Sequence, residues 1–414
     1  MPTNPAATAS VPPVAFNPFE PGFAENPYSQ WQALREHDPV HESPLGIWLL
    51  LAYDDVQRFV RDPATSVEDR HANPTLLDAI QQEARGDREP DGRGGRAMLM
   101  LDPPDHDRLR RLVTKAFTPR VIEGLRPRVQ EMVDDILDRV GPAGEMELVS
   151  DLAFPLPFAV ISEMLGVPEA DGDELRQWSS VLVRTLEPVN DPEIIRAIED
   201  AADAMYGFTS ELIARKRDEP GDDLLTALIA TEDGGDTLSD EELVDQVILL
   251  YIAGHETTVS LVGNGTLALL IHRDQLERLR ADPSLDANAV EELLRYDPPV
   301  QMTRRITLTD VTVRDRTIPA GTFTVCVIAS ANRDRARWGD DADDLDLGRD
   351  GAQHHLAFGG GVHYCLGAAL ARLEGQVAIG SLVRRFPNLE IAGDPVWNGR
   401  LNLRGLDRLP LALG

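Results

Sequence analysis

The run from Ser239 to about Leu270 restricts the fold more than any other stretch. Ser239-Asp240-Glu241-Glu242 spells a capping box, in which the Ser hydroxyl and the Glu carboxylate satisfy opposite orphan N–H groups. The apolar pattern that follows lasts about 30 residues, ~45 Å of helix at 1.5 Å per residue. It is apolar nearly all round, so it should cross the interior of its domain. Hydrophobic residues make up 42% of the chain, enough for a large core. With no Pro/Gly/Ser-rich linker, repeat or low-complexity block to divide the sequence, one large, mainly α domain is expected.

The middle of this helix reads Ala253-Gly254-His255-Glu256-Thr257-Thr258. A glycine, an acid and two β-branched alcohols are poor choices there, and a threonine hydroxyl can compete for the i−4 carbonyl and open a bulge. A simple kink holding a water would explain the segment. So would an acid and an alcohol placed to deliver protons.

A second unusual stretch is Phe358 to Gly367. It holds Cys365, one of two cysteines in the chain, among glycines at 359, 360, 361 and 367. A metal-binding thiolate needs N–H groups aimed at sulfur and room for a flat cofactor, and glycines allow both. Leu366, Leu370, Leu373 and Val377 follow at helical spacing, so Cys365 should precede a helix whose N-terminal dipole favours negative sulfur. A small buried hydrophobe is the plainer alternative. Zinc, with His354, His355 and His363, would lack a second Cys-rich half.

Elsewhere, the double proline at 103 and 104 should start a helix carrying His106 and Arg110 on one face, a grip for a carboxylate or a solvated surface. Glu292 and Arg295 share a helical face at i, i+3. Pro298-Pro299 then stops that helix, so that Val300, Gln301, Met302 and Thr303 run extended. Residues 1–24 read as a proline-rich tail, extended or disordered, and 25–414 as the folded domain. Leu45 to Tyr53 suggests an edge strand, and residues 69–98 a long polar loop.

Forty basic residues against seventy acidic ones leave a net charge of −30, which repels nucleic acid and anionic lipid. No apolar run approaches the ~18 residues of a membrane span, and the N-terminus lacks a signal-peptide pattern. Neither nucleic acid nor membrane is an expected partner. Two cysteines without a disulfide spacing suit a reducing, cytoplasmic setting.

Phe358, Gly359, Gly361, His363, Cys365 and Gly367 fill every fixed place of Phe-Gly-x-Gly-x-His-x-Cys-x-Gly. The segment thereby resembles the haem-binding loop of the haem-thiolate monooxygenases, the cytochrome P-450 family. Ala253, Gly254, Glu256 and Thr257 match the family's Ala/Gly-Gly-x-Asp/Glu-Thr, and Glu292 and Arg295 its Glu-x-x-Arg. The resemblance implies a cytochrome P-450-like fold, mainly α with a small β-rich subdomain. It implies haem b (iron protoporphyrin IX) with Cys365 as axial ligand, and His106, Arg110 and Arg305 on the propionates. Ala253 and Gly254 would leave space for O2, with Glu256 and Thr257 supplying protons. Glu292 and Arg295 would be buried and joined by Arg349, holding the cysteine loop. Val300 to Thr303, Asn398 to Asn402 and a lid at 185–195 would shape the substrate pocket.

The implied activity is a monooxygenase placing one atom of O2 in a C–H bond of an apolar small molecule. No Gly-x-Gly-x-x-Gly unit follows a strand, so electrons would come from a separate ferredoxin and ferredoxin reductase, docking on Arg108, Arg111 and Lys115. Two rivals keep the haem. A peroxide-driven peroxygenase would tend to replace the acid–alcohol pair, and a non-catalytic haem sensor would not need Thr257.

Overall fold

The capped apolar rod is the spine of the molecule. The computed structural model describes residues 15–44, 46–85, 94–168 and 171–414, and in it the central helix runs unbroken from Asp240 to Ile271. The Ser239 hydroxyl accepts from the Glu242 N–H at 3.2 Å, and the Glu242 carboxylate accepts from the Ser239 N–H at 2.9 Å. Every residue from Thr258 to Leu270 is buried. Helices Pro155–Met164, Pro192–Asp218, Asp286–Tyr296 and Ala368–Arg385 enclose the rod. Two glycines set how closely they approach. A Cβ on Gly375 would sit 2.9 Å from Leu261, and one on Gly265 would sit 3.1 Å from both Leu293 and Ile379.

Beside this helical mass lies a five-stranded sheet, ordered Val40–Glu42, Trp48–Leu50, Phe323–Val327, Met302–Thr307, Thr65–Ser66. Trp48–Leu50 is an interior strand, not the expected edge. It pairs antiparallel with Val40–Glu42 and parallel with Phe323–Val327. The reason is burial on both faces: Leu49, Leu50 and Leu51 are fully enclosed, and such a run needs neighbours on either side.

Three further expectations meet the structure here. Residues 1–14 of the proposed tail lie outside the described residues, but Phe16 stacks on Trp31 at 5.3 Å and Phe23 meets it edge-on at 5.4 Å. Packing therefore starts before residue 25. The segment read as a polar loop contains a helix, Leu76–Arg85, whose Leu76 and Ile80 are exposed; residues 86–93 lie outside the described residues. Among the described residues no helix is long and apolar enough to cross a membrane.

Candidate active site

Cys365 lies two residues before Gly367, the N-cap of helix Ala368–Arg385. Its N–H donates to the Phe358 carbonyl at 2.9 Å, closing the loop on itself. Gly361 has φ +67°, and a Cβ there would come within 3.0 Å of the Val60 carbonyl oxygen, so the loop rests directly on neighbouring main chain. Cys365 is exposed, yet the protein around it desolvates its sulfur. A group with both properties lines an internal space. Burial pushes its thiol pKa up, while the Gly367 N–H, Arg110 and Arg372 pull it back. A bound cation would add to that pull and favour the thiolate.

Next to the loop, basic groups gather. His106, in helix Asp105–Ala116, is fully buried, its ring 4.4 Å from that of His363. Its Nδ1 lies 2.9 Å from Asp107, but its Nε2 is buried without a partner. One turn on, Arg110 donates to the Tyr364 carbonyl at 2.5 Å. Arg305 is buried and donates to the carbonyls of Arg304 (2.7 Å) and Val60 (3.3 Å), whereas Arg304 turns outward to Asp69. Burial, then His106 and Arg305, hold the His363 pKa down at about 3 against the opposing pull of Asp102. Two arginines and two histidines face the carboxylates of Asp102 and Asp107. Arg110 and Arg305 donate to neutral oxygens, and the orphaned His106 Nε2 needs a partner. An anionic group such as a haem propionate suits both the arginines and that nitrogen.

In the central helix, Ala253 is exposed although the helix is interior. The Thr257 hydroxyl donates to the Ala253 carbonyl at 2.9 Å. That is the i−4 competition expected, but the α-helix continues through it without a π-bulge. Glu256 is ion-paired with Arg400. His255 is buried and donates from Nδ1 to the Tyr251 carbonyl at 2.7 Å, and burial lowers its pKa against the opposing pull of Glu256.

Two carboxylate networks brace the cysteine loop. Glu292 and Arg295 are fully buried and bonded at 2.7 and 2.8 Å; Arg349 joins Glu292 at 3.1 Å. Arg295 also donates to the Asn332 carbonyl at 2.8 Å, while the Asn332 side chain accepts from the Leu356 N–H at 2.8 Å. Sequence reasoning missed the second network. Glu291 accepts from Arg372 (2.5 Å) and His355 (3.0 Å). The Ala357 N–H donates to His355 Nδ1, so the proton of a neutral ring sits on Nε2, facing Glu291. Burial opposes ionisation of Glu291, but these two donors outweigh it and bring its carboxyl to about 2. Only the adjacency of Glu291 to Glu292 could have flagged it.

The segment Val300 to Thr303 divides. Met302 and Thr303 lie in the sheet, Val300 bridges to Leu403, and Gln301 is buried with its amide donating to the Pro298 carbonyl at 2.7 Å. Gln301 thus serves the scaffold in this structure. The proposed docking cations are not free either. Arg108 pairs with Glu242 and Asp236, Arg111 with Asp233 and Asp236, and Lys115 with Asp233. Helix Asp105–Ala116 lies against an acidic turn, which neutralises the patch.

The family model for cytochrome P450 matches residues 79–398. The chain belongs to the cytochrome P450 family. Among similar proteins, Cytochrome P450 107B1 of Saccharopolyspora erythraea is 44% identical over 405 residues, 96% of this chain and 97% of its own. The vitamin D(3) 25-hydroxylase of Pseudonocardia autotrophica is 44% identical over 404 residues, covering 96% of each chain. The solved structure of PksS, the bacillaene polyketide synthase cytochrome P450 of Bacillus subtilis 168, superposes with a TM-score of 0.87 at 36% identity, over 96% of this chain and 100% of that one. The helical mass and small sheets described above are therefore the cytochrome P450 fold, and this P450 is a monooxygenase of a family that uses a haem-thiolate cofactor.

Proposed function

We propose that this P450 hydroxylates a lipophilic small molecule, with haem b held through Cys365 and electrons delivered by a ferredoxin and its reductase. The observation that carries the reading is the basic cluster of His106, His363, Arg305 and Arg110, with His106 Nε2 unpartnered, beside an inward-facing cysteine sulfur. Haem bound there supplies the activation of O2 at a thiolate-ligated iron. The chain's own residues hold and orient it: Cys365 binds iron, and His106, Arg110 and Arg305 bind the propionates. Phe358, Gly359, His363 and Gly367 shape the loop around the sulfur.

On the other face, Ala253 and Gly254 carry no bulk that would exclude O2 or substrate. Glu256 would take up a proton at its carboxylate and hand it to a free lone pair of Thr257 Oγ1, which would in turn release its own hydrogen from the Ala253 carbonyl. This intact acid–alcohol pair favours O2 over peroxide as oxidant. The names of two relatives, a vitamin D(3) hydroxylase and a polyketide synthase P450, support a polycyclic or polyketide-like substrate.

The reduced, carbon-monoxide-treated protein tests the reading. The red-shifted absorbance of thiolate-bound haem is expected in the wild type and absent in Cys365→Ser. Its survival in that variant would overturn the assignment.

A further inference from the structure

A salt bridge beside the cysteine loop joins helix Asp286–Tyr296 to helix Ala368–Arg385. Arg372, in the second turn of the latter, donates from Nε to Glu291 Oε1 at 2.5 Å and from Nη2 to Oε2 at 3.2 Å. Its guanidinium also lies 4.5 Å from the centre of the Phe358 ring, and Nη1 reaches the Tyr364 hydroxyl at 3.4 Å. Phe358 supplies the carbonyl that the Cys365 N–H binds, and Tyr364 is the residue before the sulfur. Arg372 thus meets the loop at two residues that hold Cys365 in place, and the sulfur feels its positive charge.

The Glu291 oxygens are taken by Arg372 and by His355 Nε2 at 3.0 Å, and the carboxylate offsets the arginine. The other arginine that the sulfur feels, Arg110, donates to the neutral carbonyl of Tyr364. The two cations near Cys365 are therefore held differently: Arg110 rests on a neutral oxygen, while Arg372 is matched to a carboxylate. A positive charge beside a metal-bound thiolate draws electron density away from the metal and favours its reduced state.

We propose that Arg372 and Glu291 are positioning residues that set how strongly the Cys365 sulfur donates electrons to a bound haem iron. Arg372 weakens the donation, and Glu291 limits how far it does so. The proposal rests on the haem-thiolate reading given above.

The molecule supplies its own control. The same two helices are joined a second time, by Arg384 on Asp286 through bonds of 2.9 and 2.8 Å. The two pairs are buried alike: side-chain exposure is 26% and 13% for Arg372 and Glu291, and 30% and 22% for Arg384 and Asp286. Arg384 stands twelve residues further along its helix, ~18 Å at 1.5 Å per residue. At that separation solvent screening removes most of its influence on the sulfur.

The test is the midpoint of the one-electron reduction of the iron, read by dye-mediated titration of the substrate-free holoenzyme. Glu291→Gln removes a negative charge and raises the ferrous-to-ferric ratio at a fixed potential about tenfold, a shift of about 59 mV. Arg372→Gln removes a positive charge and lowers that ratio by a similar factor. Arg372→Lys, which keeps the charge, stays within about twofold of the wild type, as do Asp286→Asn and Arg384→Gln. Loosening of the loop would move both cuts in one salt bridge the same way. Shifts of the same sign in Glu291→Gln and Arg372→Gln, or a shift in Asp286→Asn as large as that in Glu291→Gln, overturn the proposal. Should Arg372→Gln fail to take up haem, a rise in Glu291→Gln without one in Asp286→Asn upholds it, and equal behaviour of those two overturns it. The carbon-monoxide spectrum separates the tuning from the reading beneath it. A wild type without the thiolate band overturns both, whereas potentials that break the pattern in proteins that keep the band overturn the tuning alone.

Discussion

The two sides of the central helix are built to different standards. On the cysteine side, Arg295 uses all five of its donors: two on Glu292 and one each on the carbonyls of Asn332, Ala342 and Asp344. Nothing there can move without leaving a buried charge unpaired. On the opposite side, one ion pair between Arg400 and Glu256 and the Glu187 carboxylate on the N–H groups of Leu401 to Leu403 do the holding. A thiolate ligand gains from a fixed position, because reorganisation is then spent in folding rather than during reaction. Substrate entry and proton uptake need a site that can rearrange. Rigidity and adaptability are thus allotted to opposite faces of one rod.

The largest effect should come from breaking the rigid side. Arg295→Ala leaves Glu292 buried without its main partner, a loss of about 3–5 kcal/mol, read by urea denaturation together with loss of haem content. The matching cut on the adaptable side, Arg400→Ala, should cost about 1 kcal/mol. Equal losses would erase the contrast.

The seam between the two sides offers the next test. Glu374, from the helix that follows the cysteine loop, is fully buried, and neither of its oxygens has a partner. The neighbouring Thr258 already leans on the Gly254 carbonyl and offers it little. Burial raises its pKa to about 8. Its folded pKa lies above the unfolded value, so the stability it contributes is complete below the unfolded pKa and drains away as pH rises through 8. Between pH 6 and pH 9 the wild type should lose about 3 kcal/mol from this group, and Glu374→Gln should not. Parallel melting curves for the two proteins across that window would refute the claim.

A further, smaller effect than that of Glu374 sharpens the rigid side. Glu291 has a folded pKa of about 2, depressed below its unfolded value, so its contribution is present above the unfolded pKa and lost as pH falls toward 2. After allowing for partial solvent screening, Glu291→Gln should destabilise by about 1–2 kcal/mol at pH 7 and by much less at pH 3, measured by melting temperature at both.

Much of the frame was legible because its signals are local. The central helix announces itself through its capping box and unbroken apolar run, and the cysteine loop through glycines packed around a single thiol. Arg349 could be matched to Glu292 only through the resemblance to the family's Glu-x-x-Arg motif, and Asp341 in the acidic stretch before it binds it as well. What stayed hidden depends on distant partners. Trp48–Leu50 looks like an edge strand until its parallel neighbour arrives at residues 324–326. Helix Leu76–Arg85 hides because its Leu76 and Ile80 face solvent. The pairing of Arg400 with Glu256 spans 144 positions, and nothing near either residue hints at it. The ion pairs of Arg108 and Lys115 were hidden for the same reason: the acids come from a turn more than a hundred residues later.

The second cysteine carries a practical consequence. Cys326 is wholly enclosed in the sheet, and burial lifts its thiol to about 12, which leaves it inert toward alkylating reagents. Cys365 is thus the one cysteine sulfur in the native chain that a maleimide can reach, and, on the proposed assignment, only while no iron is bound to it. The stoichiometry of labelling then becomes a direct count of the molecules in a preparation that lack their prosthetic group.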